Sequence, residues 1–120
     1  MFATDIYVRI TRNLLRVKNL KSGQEIQLAP EHPFTTTRML VGDFTSADHA
    51  MKKALAQVGA NSFLASARVL LHPLEMIEGG LSEIESRILM ELAIGSGAKK
   101  AIVHVGPELG DAEVSEKLRA

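Results

Sequence analysis

Two histidines lie at the ends of two short apolar runs, and histidine is a common general acid, general base and metal ligand. His72 ends the run 68–72, and His104 lies near the end of the run 101–105. If the two runs are adjacent parallel strands, both imidazoles lie at the carboxyl edge of a sheet, where α/β proteins place ligands. Four acidic residues nearby in sequence complete a candidate metal or acid–base site: Glu75, Glu78, Glu108 and Asp111. The simpler alternative is that both imidazoles hydrogen-bond loop backbone, because no metal-binding or catalytic spacing motif accompanies them.

A second group of side chains could act in binding rather than in catalysis. Tyr7 and Arg9 alternate with apolar residues in one stretch, and Arg16 and Lys18 alternate with apolar residues in the next. Alternate residues of a strand face the same side of a sheet, so these four side chains share one face. The pattern predicts either a solvated sheet face, which antiparallel sheets commonly have, or a docking surface for an acidic partner or a second copy.

The elements that carry the histidines form a strand–helix–strand unit. Ser82 and Glu85 make a capping box at the start of the helix, and Gly95 and Gly97 offer the positive φ that ends it. The expected apolar stripe of this helix consists of Ile84, Ile88, Leu89, Leu92 and Ala93. This spacing is typical of a βαβ crossover, which places two parallel strands side by side.

The chain before this unit is predicted to form a three-stranded antiparallel meander followed by a helix. Apolar and polar residues alternate over 6–10, 15–18 and 25–28, with turns at 11–13 and 21–24. Thr45 or Ser46 is the expected N-cap of the helix. Its expected apolar stripe consists of Ala47, Ala50, Met51, Ala54, Leu55 and Val58.

Three connecting or terminal stretches have weaker patterns. Residues 38–42 are expected to be a short extended piece, and 60–67 a linker whose Phe63 and Leu64 reach the core. Asp111 is the expected cap of a last helical piece, with Val114 and Leu118 facing inward.

This order of elements is that of ribonuclease-H-like domains, whose usual strand order is 3-2-1-4-5. We therefore predict one α/β domain over residues 1–120, with a five-stranded mixed sheet and helices mainly on one face. The composition, 46% apolar and 23% charged with no cysteine, is ordinary for a globular protein without disulfides. A net charge of zero argues against nucleic-acid binding, and the apolar runs are too short to span a membrane. We expect a cytoplasmic protein.

Three segments, in this order and at these spacings, resemble one protein family. Residues 5–18 are similar to the first β-hairpin of bacterial actin-like, rod-shape-determining (MreB-type) proteins, and 38–51 to the entry into their first helix. Residues 81–87 and 97–102 are similar to the family's second helix and the strand after it. The resemblance covers only the family's first subdomain. It implies an actin-like fold and a relation to the cytoskeleton and cell shape.

The phosphate-binding turn of that family is degenerate in this chain. Family members carry an Asp-x-Gly-Thr turn between the first two strands, and its backbone N–H groups cradle nucleotide phosphates. Alignment on residues 14–18 places Tyr7 at the aspartate, Arg9 at the glycine and Ile10 at the threonine. A side chain at the glycine position blocks the phosphate from the backbone. The resemblance therefore implies an actin-like fold that has lost nucleotide binding and ATPase activity.

We expect a non-catalytic structural or interaction protein, with no catalytic residue, metal or cofactor. Its partner would be another protein or a second copy, as in a homodimer, bound through the basic face or a strand edge near Leu28 or Val105. One alternative is a small metal- or nucleotide-dependent enzyme that uses His72 and His104. Another is a regulatory module that binds a phosphorylated small molecule.

Overall fold

The chain folds into five strands and three helices. The computed structural model describes residues 3–60 and 66–120. In chain order the elements are β1 (Thr4–Thr11), β2 (Leu14–Asn19), β3 (Glu25–Leu28), α1 (Phe44–Gln57), β4 (Ala67–Pro73), α2 (Glu83–Ile94), β5 (Lys100–Val103) and α3 (Asp111–Arg119).

The strands form one mixed sheet in the order β3-β2-β1-β4-β5. β1 pairs with β2 and β2 with β3 in antiparallel fashion, while β4 is parallel to both β1 and β5. The predicted α/β class, the mixed five-stranded sheet and its strand order are confirmed. The antiparallel half arises because short turns join β1, β2 and β3. The parallel half arises because helices join the later strands.

One face of the sheet is covered by α1 and α2, which pack on the apolar side chains of all five strands. Ile6, Val8 and Ile10 of β1 point to this face and are fully buried. The predicted stripe of α1 is buried along its whole length: Ala47, Ala50, Met51, Ala54, Leu55 and Val58. The period-2 and period-3.6 patterns were reliable here because both elements bury one side against the same core.

The capping box of α2 forms as predicted. Ser82 accepts a hydrogen bond from the backbone N–H of Glu85, and the Glu85 carboxylate accepts one from the N–H of Ser82. The prediction for Ile84 is wrong, since its side chain is 69% exposed while Leu89 and Leu92 are buried. Ile84 lies in the first turn of α2, at the margin of the buried stripe.

The other face of the sheet is covered by α3. Val114 and Leu118 are fully buried against Tyr7 of β1 and Leu70 of β4, which confirms the predicted inward direction of the two aliphatic residues. The N-cap is Gly110 rather than the predicted Asp111, which is instead the first residue of the helix. The helices are therefore divided, two on one face and one on the other.

Three smaller predictions differ from the structure. Asp43, not Thr45 or Ser46, caps α1, because its side chain accepts the N–H of Ser46. Residues 38–42 form bends and a turn rather than an extended piece. The placement of Phe63 and Leu64 lies outside the described residues. In the ranges 3–60 and 66–120, no helix combines the length and apolar character needed to cross a membrane.

Candidate functional site

His72 is completely buried at the carboxyl end of β4, and both of its ring nitrogens are hydrogen-bonded. Its Nε2 lies 2.8 Å from the carbonyl oxygen of Gly106. A carbonyl oxygen can only accept, so Nε2 carries the proton. Nδ1 then accepts the hydroxyl of Tyr7, 2.7 Å away. The Tyr7 oxygen accepts in turn from the backbone N–H of Leu109 at 3.2 Å. The imidazole is thus held as one neutral tautomer.

His104 lies beside His72, as the parallel arrangement of β4 and β5 predicts. The two rings meet edge to face with 4.7 Å between their centroids. Nε2 of His104 is 3.3 Å from the carbonyl oxygen of Pro107. Both imidazoles therefore hydrogen-bond loop backbone, which was the simpler alternative given by the sequence. Glu108 lies near the His72 ring, but within the described ranges no hydrogen bond or ion pair joins a predicted carboxylate to either histidine, and no cluster of three or more possible metal ligands occurs there.

Burial shifts the pKa of both members of the Tyr7–His72 pair. Removal from water lowers the pKa of His72 and raises the pKa of Tyr7, because burial disfavours the charged form of each group. Two hydrogen bonds to the backbone, one from His72 to the Gly106 carbonyl and one from the Leu109 N–H to Tyr7, oppose these two shifts without cancelling them. Both groups are consequently held neutral, which suits a buried structural hydrogen bond.

The predicted basic face forms a compact block on β1 and β2. Arg9 lies directly opposite Arg16, and Tyr7 directly opposite Lys18, so the four side chains share a face as expected. Like charges in opposite positions destabilise a sheet. The prediction of a solvated face is wrong for Tyr7, which is only 1% exposed. The docking-surface alternative stays a prediction.

The charges of this block are neutralised within the chain. Glu108 places one carboxylate oxygen 3.2 Å from Arg9 and 2.8 Å from Arg16. Glu25 lies 2.8 Å from the other terminal nitrogen of Arg9. The two arginine hydrogen bonds hold the pKa of Glu108 below its ordinary value. Arg9 also lies over the Tyr7 ring, 4.8 Å from the centroid.

Residues 104–120, which we call the C-terminal segment, make a further set of contacts with the sheet. Lys18 forms a 3.0 Å ion pair with Asp111 at the start of α3. The Lys100 ammonium donates to the carbonyl oxygens of Leu118 and Ala120 at the end of α3. A cation at a helix C-terminus satisfies free carbonyls and opposes the negative end of the helix dipole. Both ends of α3 are thus attached electrostatically.

The turn between β1 and β2 lies at Arg12 and Asn13, the latter with a φ of 50°. Its backbone N–H groups are already engaged. Arg12 donates to the Glu75 carboxylate at 2.6 Å and Asn13 to the Thr35 hydroxyl at 2.9 Å. Tyr7 and Arg9, which the alignment assigned to a phosphate turn, lie inside β1 and are paired on both sides.

A cleft that the sequence reasoning missed lies between α1 and the chain that follows β3. Its cavity has a volume of about 200 Å³ and a floor formed by Leu28, Pro30 and Ala50. The polar residues that line it are Glu31, His32, Thr45, Ser46, His49 and Lys53. We call this cavity the α1 cleft. Thr45, His49 and Lys53 are spaced at i, i+4 and i+8 and so share a helix face. No pattern in the sequence predicts that His32, in the chain after β3, also lines this cavity.

These features define an α/β protein with a five-stranded mixed sheet and a compact, internally paired polar face. No protein-family model matches the chain. The uncharacterized protein YjaA of Escherichia coli strain K12 is 33% identical over 101 residues, covering 79% of this chain and 78% of the relative. The chain belongs to the same family as this relative.

Proposed function

We propose that this protein is a non-catalytic structural or interaction protein. Its resemblance to the first subdomain of actin-like cell-shape proteins would then reflect a related fold whose nucleotide binding is lost. One observation supports the proposal: the C-terminal segment forms hydrogen bonds and ion pairs with the polar side chains that were the sequence's candidates for catalysis or binding. Tyr7, His72 and Arg9 all bond to residues within 106–109. Because internal bonds occupy these groups, we assign them a structural role.

The enzyme alternative requires a histidine that can exchange a proton or bind a metal. His72 has no free ring nitrogen, since one donates to Gly106 and the other accepts from Tyr7. A general base must reach the proton that it removes, and His72 is also 0% exposed. These contacts favour the non-catalytic proposal over a site in which His72 acts as a base or a metal ligand.

The state of the β1–β2 turn supports the loss of nucleotide binding. In the Asp-x-Gly-Thr turn that the resemblance implies, free backbone N–H groups receive the phosphates. Here the N–H of Arg12 donates to the carboxylate of Glu75, which is itself an anion. A phosphate at this turn would have to displace Glu75 and would also meet its negative charge.

The edge of the sheet at β5 is the surface we assign to protein contact, with a second copy of this chain as the partner. The N–H of His104 donates to Leu71 of β4, so the alternation of strand amides directs the N–H of Val103 away from the sheet. Val105 follows this edge and is 45% exposed. Free strand edges with exposed aliphatic side chains favour pairing between chains.

Sedimentation velocity over a range of protein concentrations tests this proposal. We expect a concentration-dependent dimer that Mg-ATP leaves unchanged. Val105→Lys should weaken it at least roughly tenfold, because a lysine on an edge opposes strand pairing. Phe44→Lys is the matched control, since Phe44 is 40% exposed at the start of α1, away from this edge.

Either of two results would contradict the proposal. A protein that stays monomeric at every concentration removes the second copy as the partner. Assembly that appears only with Mg-ATP would mean that nucleotide binding persists. The chain would then have to be considered an actin-like ATPase again.

A further inference from the structure

The α1 cleft differs from the rest of the polar surface because its chemical groups are not committed to internal bonds. Among residues 3–60 and 66–120, neither His32 nor His49 forms a hydrogen bond or an ion pair with another described residue, and the same holds for the Lys53 ammonium. Lys52, one residue earlier, is paired with Asp48. The cleft therefore gathers donors that remain available to a ligand.

The walls of the cleft are held in place by the fold. One wall is the exposed side of α1, whose opposite side is buried in the core through Met51 and Leu55. The other wall is the chain after β3, where Pro30 and Pro33 restrict φ and so limit its conformations. A site on such walls loses little entropy when a ligand binds.

The lining combines an apolar floor with a mainly donating rim. Leu28, Pro30 and Ala50 supply the floor. The Lys53 ammonium supplies a positive charge and three N–H donors, and each imidazole donates at least one N–H. Glu31 is the single carboxylate on the rim. Thr45 lies in the first turn of α1, where the positive end of the helix dipole also favours an anion.

We propose that the α1 cleft binds a small organic anion with a short apolar body. The apolar part would rest on Leu28 and Ala50, and the anionic group would pair with Lys53 and hydrogen-bond to His49. A cavity of about 200 Å³ admits a ring or a short chain but not a nucleotide. This ligand site is separate from the β5 edge and does not depend on the proposed self-association.

The test is an amide-resolved NMR titration of the full chain with benzoate, which carries both a ring and a carboxylate. Benzyl alcohol supplies the ring without the charge, and acetate the charge without the ring. We expect saturable shifts with benzoate up to about 20 mM, centred on Thr45, Ser46 and His49, and at least roughly threefold weaker binding of either partial probe.

Two variants with the same charge change separate a cleft contact from a general effect of net charge. Lys53→Glu should weaken benzoate binding about tenfold, because it replaces the cation of the rim with a like charge. Lys52→Glu alters the net charge equally one residue away, outside the lining, and should change the affinity by less than about twofold.

The outcomes that overturn the proposal are equally specific. They are the absence of saturable shifts at the cleft, equal binding of benzyl alcohol and benzoate, or equal weakening by Lys53→Glu and Lys52→Glu. The amide spectra of both variants also report whether each one is folded.

Discussion

The C-terminal segment and the α1 cleft are both polar regions beside the same sheet, but they differ in whether their polar groups are buried and bonded within the chain. Under the C-terminal segment, Tyr7 and His72 are fully enclosed, and each finds its partners inside the chain. In the α1 cleft, His49 and Lys53 are exposed around an open cavity. One region has the organisation of a structural core, and the other is the open cavity that we propose as a ligand site.

The difference teaches that the residue type alone does not reveal a site. His72 and His104 attracted a catalytic interpretation because they end neighbouring strands. His72 is instead the centre of a closed hydrogen-bond chain from Leu109 to Gly106. Buried polar groups must be paired to avoid a desolvation penalty, so enclosure and internal bonding go together. Substitutions in the two regions should accordingly affect different properties: stability under the C-terminal segment, and ligand binding in the cleft.

The largest effect is expected from Leu118→Ala. Leu118 is completely buried between α3 and the sheet, and its truncation leaves a cavity under the C-terminal segment. We expect a loss of about 2–5 kcal/mol in the free energy of unfolding, measured by urea denaturation. Ile84→Ala, at a residue of α2 that is 69% exposed, is the control and should change this free energy by less than about 0.5 kcal/mol. Equal effects of the two substitutions would mean that α3 is not packed as described.

A smaller effect is expected from Tyr7→Phe, which removes one oxygen atom. The backbone N–H of Leu109 and Nδ1 of His72 would both lose their partner in a buried setting. We expect a loss of about 1–3 kcal/mol in the same measurement. His49→Gln in the cleft is the comparison and should stay within about 0.5 kcal/mol of the parent. A stable Tyr7→Phe variant would show that the hydrogen-bond chain contributes little.

The smallest effect is a dependence of stability on acid pH. Because burial lowers the pKa of His72 below its ordinary 6.5, the unfolded chain binds a proton there more readily than the folded chain. This contribution to stability is present above about pH 6.5 and is lost as the pH falls further. Glu108, whose pKa is lowered from 4.5, adds a second loss at lower pH.

Urea denaturation between about pH 7.5 and pH 5 measures the His72 contribution. In the His72→Gln variant the decline over this range should be shallower, while Met90→Gln, which replaces a 40% exposed side chain without a titratable group, should retain the slope of the parent. A parent protein whose stability is constant over the range, or a His72→Gln variant with the full slope, would contradict the assignment. His104, Glu108, Arg9 and Tyr7 face the same ring and are unchanged in both variants.

Local patterns predicted the fold because they describe what each short segment does by itself. The alternation over 6–10 predicts which β1 side chains face α1 and α2, and Ser82 with Glu85 predicts the start of α2. The same reasoning failed at Ile84, which has an apolar side chain at the edge of the stripe with nothing packed over it. The alignment with the actin-like family placed Tyr7 and Arg9 at a turn, whereas both lie inside β1.

The candidate sites were predicted only in part. The neighbouring positions of His72 and His104 followed from the parallel strands, and the common face of Arg9 and Arg16 followed from alternation. The hydrogen-bond partners of these groups could not be predicted, because a bond between residues as far apart as Tyr7 and Leu109 produces no periodic pattern in the sequence. The α1 cleft was missed for the same reason: His32 reaches it from a loop without a repeating pattern.

The sequence by itself predicted most of the strands and helices, because periodicity, caps and turn residues act over a few positions. Their order in the sheet was predicted by analogy with ribonuclease-H-like domains, and the structure has that order. Tertiary structure alone decided what each polar group does. Glu108 is 99 residues from Arg9 in the chain, yet it neutralises Arg9 and Arg16 together. Only the packing of α3 on the second face of the sheet brings Glu108 there, and the same packing encloses His72. The α1 cleft lies outside that packing, so its donors stay open to solvent.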